Sequence, residues 1–243
     1  MLFSAGFVAV SLLVKLIIHP HCIRGTPHAE ESVAEVISSA EVVQTSPCDT
    51  YQIISARGTG EAQSSGSPDY AKLIKIVEAT IPGGSNMEIQ YSSMAEYIFS
   101  PSEGADSAAS YLSSQMLKCP NQIYVLLGYS KGAMVITELM NKLSIDENQL
   151  AAVVLFGNPF HISGAPQNRC SGTYGSGLAS PFAPSIPSEY VPLIYDCCFQ
   201  WDMVCQTIGI VQPHLKYGGS RDEVKAAAFV TSRLQLKLDR NFS

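Results

Sequence analysis

The chain is short of charge, histidine and tryptophan, and each shortage narrows its chemistry. Charged residues make up 15% of the 243, and 15 Lys and Arg stand against 21 Asp and Glu, a net charge of −6. A nucleic-acid binder needs a surplus of cations to neutralise phosphates, so no nucleic-acid partner is expected. No Gly-x-x-x-x-Gly-Lys-Ser/Thr or Gly-x-Gly-x-x-Gly follows a strand-like run, which removes the usual phosphate cradles. The histidines, His19, His21, His28, His161 and His214, are sparse, and no Cys-x-x-Cys pair occurs. Neither a metal nor another cofactor is therefore expected. After the N-terminal apolar run no second stretch is long enough to span a membrane.

That first run, residues 2–18, is shorter than a comfortable span and is interrupted by Lys15. It reads as a secretory signal peptide extending over residues 1–28, with a signal anchor as the alternative. Residues 29–47 are rich in Glu, Ser, Ala and Val without an aromatic, and read as a propeptide or flexible arm. The domain proper is residues 48–243. Of seven cysteines, Cys22 falls in the leader, which leaves an even set of six. An even set suits disulfides in an oxidising compartment, so the expected location is secreted and extracellular. Six cysteines allow fifteen pairings, and spacing does not choose among them. Asn241-Phe242-Ser243 is a glycosylation sequon too close to the C-terminus to be a good acceptor.

Within the domain, apolar runs read as strands at Tyr51–Ala56, Met87–Tyr91, Ile123–Leu127, Leu150–Phe156 and Val191–Tyr195. Between them, helical spacing appears after Asp69 (Tyr70, Leu73, Ile74, Val77 and Ile81 on one face), over Ala105–Lys118, over Lys131–Leu143 and over Arg221–Leu238. Strands alternating with helices predict a three-layer α/β sandwich around a central, mainly parallel, five-stranded sheet. Residues 157–189 are Gly-, Pro- and Ser-rich with little periodicity.

The most informative stretch is Gly128-Tyr129-Ser130-Lys131-Gly132. It follows an apolar run and opens a helical segment, the setting in which Gly-x-Ser-x-Gly makes a nucleophile elbow. There one serine hydroxyl stands on a sharp turn, and flanking glycines leave room for the strand and helix to pack. Such a nucleophile needs a base, and the base an acid to orient it, in the chain order Ser, Asp or Glu, His. Outside the leader only His161 and His214 remain. His161 has Asp146 and Glu147 among the acids between it and Ser130; His214 has Asp202 upstream, and a small loop, Cys198 to Cys205, could hold an acid in a fixed pose. Taken alone, His214 could be a loop histidine and Asp202 a turn residue; alongside Ser130 the catalytic reading is preferred.

These motifs together resemble the cutinase family, small secreted serine esterases of the α/β-hydrolase type. Ala56-Arg57-Gly58-Thr59 resembles the family's Ala-Arg-Gly-Ser/Thr, and Gly128-Tyr129-Ser130-Lys131-Gly132-Ala133 its Gly-Tyr-Ser-Gln-Gly-Ala. Cys198 to Cys205 around Asp202, followed by Pro213-His214-Leu215-Lys216-Tyr217, resembles its acid loop and His-Leu-x-Tyr. The resemblance covers most of residues 48–238 and implies an α/β-hydrolase-like sheet without a lid. It implies Ser130 as nucleophile, His214 as general base and acid, and Asp202 as its orienter. Thr59, by backbone and hydroxyl, and the backbone N–H of Lys131 would form the oxyanion hole. It further implies disulfides Cys48–Cys119 and Cys198–Cys205, with Cys170–Cys197 left by elimination.

Three places depart from the family pattern, one of them Tyr91-Ser92-Ser93, where Tyr-Pro-Ala is usual after the second strand. Lys131 stands where Gln is usual, and its ammonium is expected on the solvent-exposed rim, close enough to disfavour protonation of His214. Trp201 precedes the acid where a small residue is usual, either lining the mouth of the site or covering the cysteine loop. The expected function is a monomeric, secreted esterase acting on cutin-like polyester or short-to-medium acyl esters, with no stable membrane insertion once processed. An acetylxylan esterase is the nearest alternative; the apolar Ile208, Ile210, Val211 and Pro213 before the base argue for a hydrophobic substrate instead. A binding protein that has kept the fold is the alternative from another class.

Overall fold

Alternation along the strands sets the layers. Ile53, Val125 and Val154 point to one side of the sheet, and Ile54, Leu126 and Val153 to the other. All six are buried, as a parallel sheet covered on both faces requires. The computed structural model describes residues 48–241; the expected signal peptide, 1–28, and arm, 29–47, lie outside the described residues.

The strands are β1 (Tyr51–Ala56), β2 (Gly84–Glu88), β3 (Ile123–Tyr129), β4 (Leu150–Phe156), β5 (Asn168–Arg169) and β6 (Ile194–Cys197). They form one six-stranded sheet in the order β2-β1-β3-β4-β6-β5, and every pairing is parallel. Helices α1 (Ala71–Thr80) and α5 (Arg221–Asn241) cover one face, through Leu73, Val77, Val230 and Leu234. Helices α2 (Ser100–Lys118) and α3 (Lys131–Lys142) cover the other, through Ala108, Leu112, Val135 and Leu139. Each such fully buried leucine or valine side chain contributes about 1.5–3 kcal/mol by leaving water.

The sheet departs from expectation in three places. It has six strands instead of five, because Asn168–Arg169 pairs with Asp196 and Cys197 at the outer edge. Two polar residues carry no readable period. The second strand begins at Gly84, not Met87: it is an edge strand of mixed exposure, so polar Gly84-Ser85-Asn86 serve as well as apolar residues. The last strand begins at Ile194 because Pro192, lacking an N–H, sits in a short 3₁₀ turn, Val191–Leu193. Similarly, α2 starts five residues before the expected Ala105, at Ser100, with Pro101 in its first turn, where a missing N–H costs nothing.

The strand order positions the site. The chain leaves β1 toward β2 at one edge and leaves β3 toward β4 on the opposite side. The carboxyl ends of β1 and β3 therefore flank a topological switch point, where open parallel sheets bind ligands. Arg57–Thr59 follow β1 and Ser130 follows β3 at that point.

Candidate active site

Ser130 closes β3 and opens α3 with φ 53° and ψ −121°, a strained conformation for a residue with a Cβ. Its neighbours leave no freedom. A Cβ on Gly132 would lie 1.9 Å from the Ala56 carbonyl oxygen, and one on Gly128 2.5 Å from that of Gly132. Strand, turn and helix are thus packed backbone to backbone, which holds the Ser130 hydroxyl at the cleft floor.

From that hydroxyl a hydrogen-bonded chain runs inward. Ser130 Oγ lies 2.9 Å from His214 Nε2, and His214 Nδ1 lies 2.9 Å from Asp202 Oδ2. His214 comes from a 3₁₀ turn, Gln212–Leu215, and its ring stacks on Tyr129 with centroids 5.1 Å apart. Gly157 also closes on the ring, since a Cβ there would fall 2.7 Å from His214 Cε1. Tyr129 O–H donates to the His214 carbonyl, fixing the turn as well as the ring.

Asp202 is fully buried and caps the short helix α4 (Met203–Gln206), accepting from Val204 N–H at 2.9 Å. Tyr217 O–H donates to Asp202 Oδ2 at 2.7 Å, a partner that inspection of the sequence did not single out. Burial first, and then the Asp202 charge, push the Tyr217 phenol well above its ordinary value, so it remains a donor. The carboxylate is thereby satisfied on both oxygens before His214 is counted.

The disulfides are Cys48–Cys119, Cys170–Cys197 and Cys198–Cys205. The last encloses the Asp202 cap, and adjacent Cys197 ties β6 to the segment after β5.

The structure does not bring His161 to Ser130. Its Nδ1 lies 3.0 Å from Asp196 Oδ2, and both residues are buried. That pairing was hidden in the sequence because Asp196 follows the histidine by 35 residues. Trp201 is 57% exposed and is not among the residues lining the Ser130 cleft; with Tyr174 and Ile208 it lines a neighbouring hollow.

The cleft over Ser130 and His214 holds about 470 Å³. Its walls include Met134, Pro159, Leu178, Val204, Val211 and Leu215. Of the apolar residues expected to bias the substrate, only Val211 lies on this wall, while Ile208, Ile210 and Pro213 line other hollows. Thr59 and Tyr97 form part of the remaining rim, with Thr59 Oγ1 3.0 Å from Tyr97 Oη.

Lys131 contradicts expectation. Its side chain is fully buried, not on a solvated rim, and Nζ donates to the carbonyls of Ser92 (2.8 Å), Met94 (2.6 Å) and Glu96 (3.2 Å) and to Ser100 Oγ (2.9 Å). The physical reason is the loop between β2 and α2, which turns three carbonyls inward and supplies the solvation that water would otherwise provide. Desolvation lowers the ammonium below the ordinary lysine value, while the nearby Glu96 carboxylate opposes the shift. A salt-screened rim charge acting on His214 is therefore not the role of this residue.

Behind Thr59 lies a carboxylate network that the sequence did not reveal. Glu61 accepts from Gly58 N–H and Ser67 O–H; Glu88 accepts from Arg57 N–H, Ser55 O–H and Tyr70 O–H. Burial lifts Glu61, Glu88 and Asp69 above their ordinary values, against the donors that hold them. A carboxyl raised on folding adds stability that is complete below its ordinary value and is lost as pH rises through the folded value. Glu96 runs the other way, held at about 2 first by Phe99 N–H and then by Ser100 N–H, so its contribution is complete above the ordinary carboxylate value and is lost as pH falls toward the folded one. Urea midpoints are accordingly expected to rise as pH is lowered from above the folded values of these three carboxyls toward the ordinary carboxylate value. Midpoints that fall steadily over that range would contradict the burial argument.

A serine elbow at the switch point of a parallel sheet, with a histidine and an acid after later strands, defines an α/β hydrolase. Residues 47–234 match the family described as Cutinase, and the chain belongs to this family of carboxylic ester hydrolases. Carboxylesterase Culp1 of Mycobacterium tuberculosis is 30% identical over 194 residues, covering 77% of this chain and 83% of that protein. A solved cutinase-like protein from Cryptococcus sp. superposes with a TM-score of 0.70 at 28% identity, over 78% of this chain and 97% of that one. A solved acetylxylan esterase gives a TM-score of 0.69 at 25% identity, over 77% of this chain and 100% of that one.

Proposed function

We propose that the protein is a secreted, monomeric serine esterase that cleaves apolar carboxylic esters, of cutin-like polyester or with short-to-medium acyl chains, through an acyl-enzyme. Ser130 Oγ attacks the ester carbonyl carbon as its proton passes to His214 Nε2. The carbonyl π pair becomes an oxyanion, held by Thr59 and by Lys131 N–H, one of the first-turn donors of α3 that has no intrahelical acceptor. Collapse expels the alkoxide, which takes the proton from His214, and leaves the acyl group on Ser130. Water then loses a proton to His214, attacks the acyl carbon and releases the acid, and Ser130 recovers its proton. Asp202 holds the imidazole tautomer and stabilises the imidazolium without taking the proton.

The observation that carries this reading is the continuous Ser130–His214–Asp202 hydrogen-bond chain opening into an apolar cleft. Secretion is supported by the three disulfides. No helix among the described residues is long and apolar enough to cross a membrane. The likeness to a solved acetylxylan esterase favours a second reading, in which the cleft removes acetyl groups from a polysaccharide. A p-nitrophenyl ester series assayed beside acetylated xylan and a polyester film separates the two. Rising kcat/KM from acetate to butyrate or longer, with release of monomer from the film, is the expected result. Highest activity on acetylated xylan, falling steeply beyond acetate, would favour the second reading.

A further inference from the structure

Lys131 reaches both halves of the proposed oxyanion hole. Its backbone N–H is one donor, and its side chain runs into the strap of residues 92–100 that borders the other. The strap is fastened to the Thr59 loop at three points: Gly60 N–H donates to the Ser93 carbonyl at 2.8 Å, Ser93 O–H to the Glu61 carbonyl at 2.9 Å, and the hydroxyls of Tyr97 and Thr59 meet at 3.0 Å. The buried ammonium fastens the same strap to the elbow helix through four oxygens. It also sits 5.5 Å from the Tyr91 ring centroid and 5.7 Å from that of Tyr97, within cation–π range. Glu96 caps the strap's exit, accepting from the N–H groups of Ile98, Phe99 and Ser100.

We infer that Lys131 is a positioning residue that sets the Thr59 donor through the strap and Tyr97, so that one residue registers both sides of the oxyanion hole. The inference rests on the esterase reading above. With Tyr97 donating to Thr59 Oγ1, the Thr59 hydroxyl is left to point its own proton at the oxyanion. The hydrogen-bond sequence Tyr97 to Thr59 to oxyanion then polarises that donor in the direction the developing charge needs. The ammonium shares three protons and a full charge among four oxygens, whereas a glutamine at 131 brings two protons and no charge, so these oxygens lose solvation and the strap loosens.

The test is a double-mutant cycle with Lys131→Gln and Tyr97→Phe on p-nitrophenyl butyrate. Each variant keeps every backbone N–H, and Tyr97 is half-exposed, so Tyr97→Phe is expected to fold even if Lys131→Gln folds poorly. Each single change should lower kcat by about 10-fold with KM within about twofold, short of the 100- to 1,000-fold cost of a whole donor. The double variant should be no worse than the poorer single one, because both act on the same hydroxyl. Amide exchange over residues 92–99 should quicken in Lys131→Gln. A lowered Tm with wild-type kcat, losses that multiply, or Tyr97→Phe at full kcat would each overturn the inference. Wild-type protein inactive on all esters would instead remove the esterase reading beneath it.

Discussion

Replacing Ser130 with alanine should lower kcat on the order of 10⁵- to 10⁶-fold, the scale seen when a serine triad loses its nucleophile. His214→Ala should cost about as much, and the double variant little more, because the two act as one unit. The argument is geometric: Ser130 Oγ has His214 Nε2 at 2.9 Å, and that imidazole is clamped by Tyr129, Gly157 and Asp202. Thermal unfolding should change little for Ser130→Ala, since the side chain lines the cleft and only a hydroxyl is lost. His161→Ala is the control. Its partner is Asp196, so the folded variant should keep most of its kcat while its urea midpoint falls, because a buried carboxylate is left unpaired. A dead His161→Ala beside an active His214→Ala would reverse the assignment.

The second large effect is on stability, and it separates two disulfides by what they enclose. Cys48–Cys119 joins residues 71 apart, bridging the segment before β1 to the end of α2. The chain-entropy argument gives roughly 4 kcal/mol for a loop of that length. Cys198–Cys205 joins residues only seven apart, for which the same argument gives roughly 2 kcal/mol. That short loop contains Asp202, whose cap on Val204 N–H depends on the turn the bridge encloses. Paired Cys→Ala changes should therefore diverge. Loss of the first bridge should lower the urea midpoint more and kcat less; loss of the second should do the reverse. Equal effects on both measures would show that the acid loop keeps its pose without its bridge.

How much of this was legible in the sequence depended on burial and distance along the chain. β1, β3 and β4 are buried over their whole length, so their apolar runs read directly as strands. The edges did not: Gly84-Ser85-Asn86 and Asn168–Arg169 are polar, half-exposed edge residues, which leave no apolar pattern to read. Ser130, Asp202 and His214 were reachable because each lies in a local motif whose chemistry needs those residue types. Tyr217 belongs to such a motif, yet its bond to Asp202 has no local signature. Lys131 was misjudged for a general reason. A lysine is ordinarily solvated, and its burial depends on carbonyls of Ser92, Met94 and Glu96, more than 30 residues earlier, being turned toward it. Only the folded loop reveals them.

The central claim, that Ser130 is a nucleophile activated by His214, is tested most directly by a fluorophosphonate ester and mass spectrometry of the intact and digested protein. The phosphorus is attacked by the activated oxygen, fluoride leaves, and the adduct stays on the residue that attacked. The account predicts a single adduct, on the peptide containing Ser130, absent from Ser130→Ala and formed far more slowly by His214→Ala. An adduct on another residue, or equal labelling of Ser130 with and without His214, would contradict it.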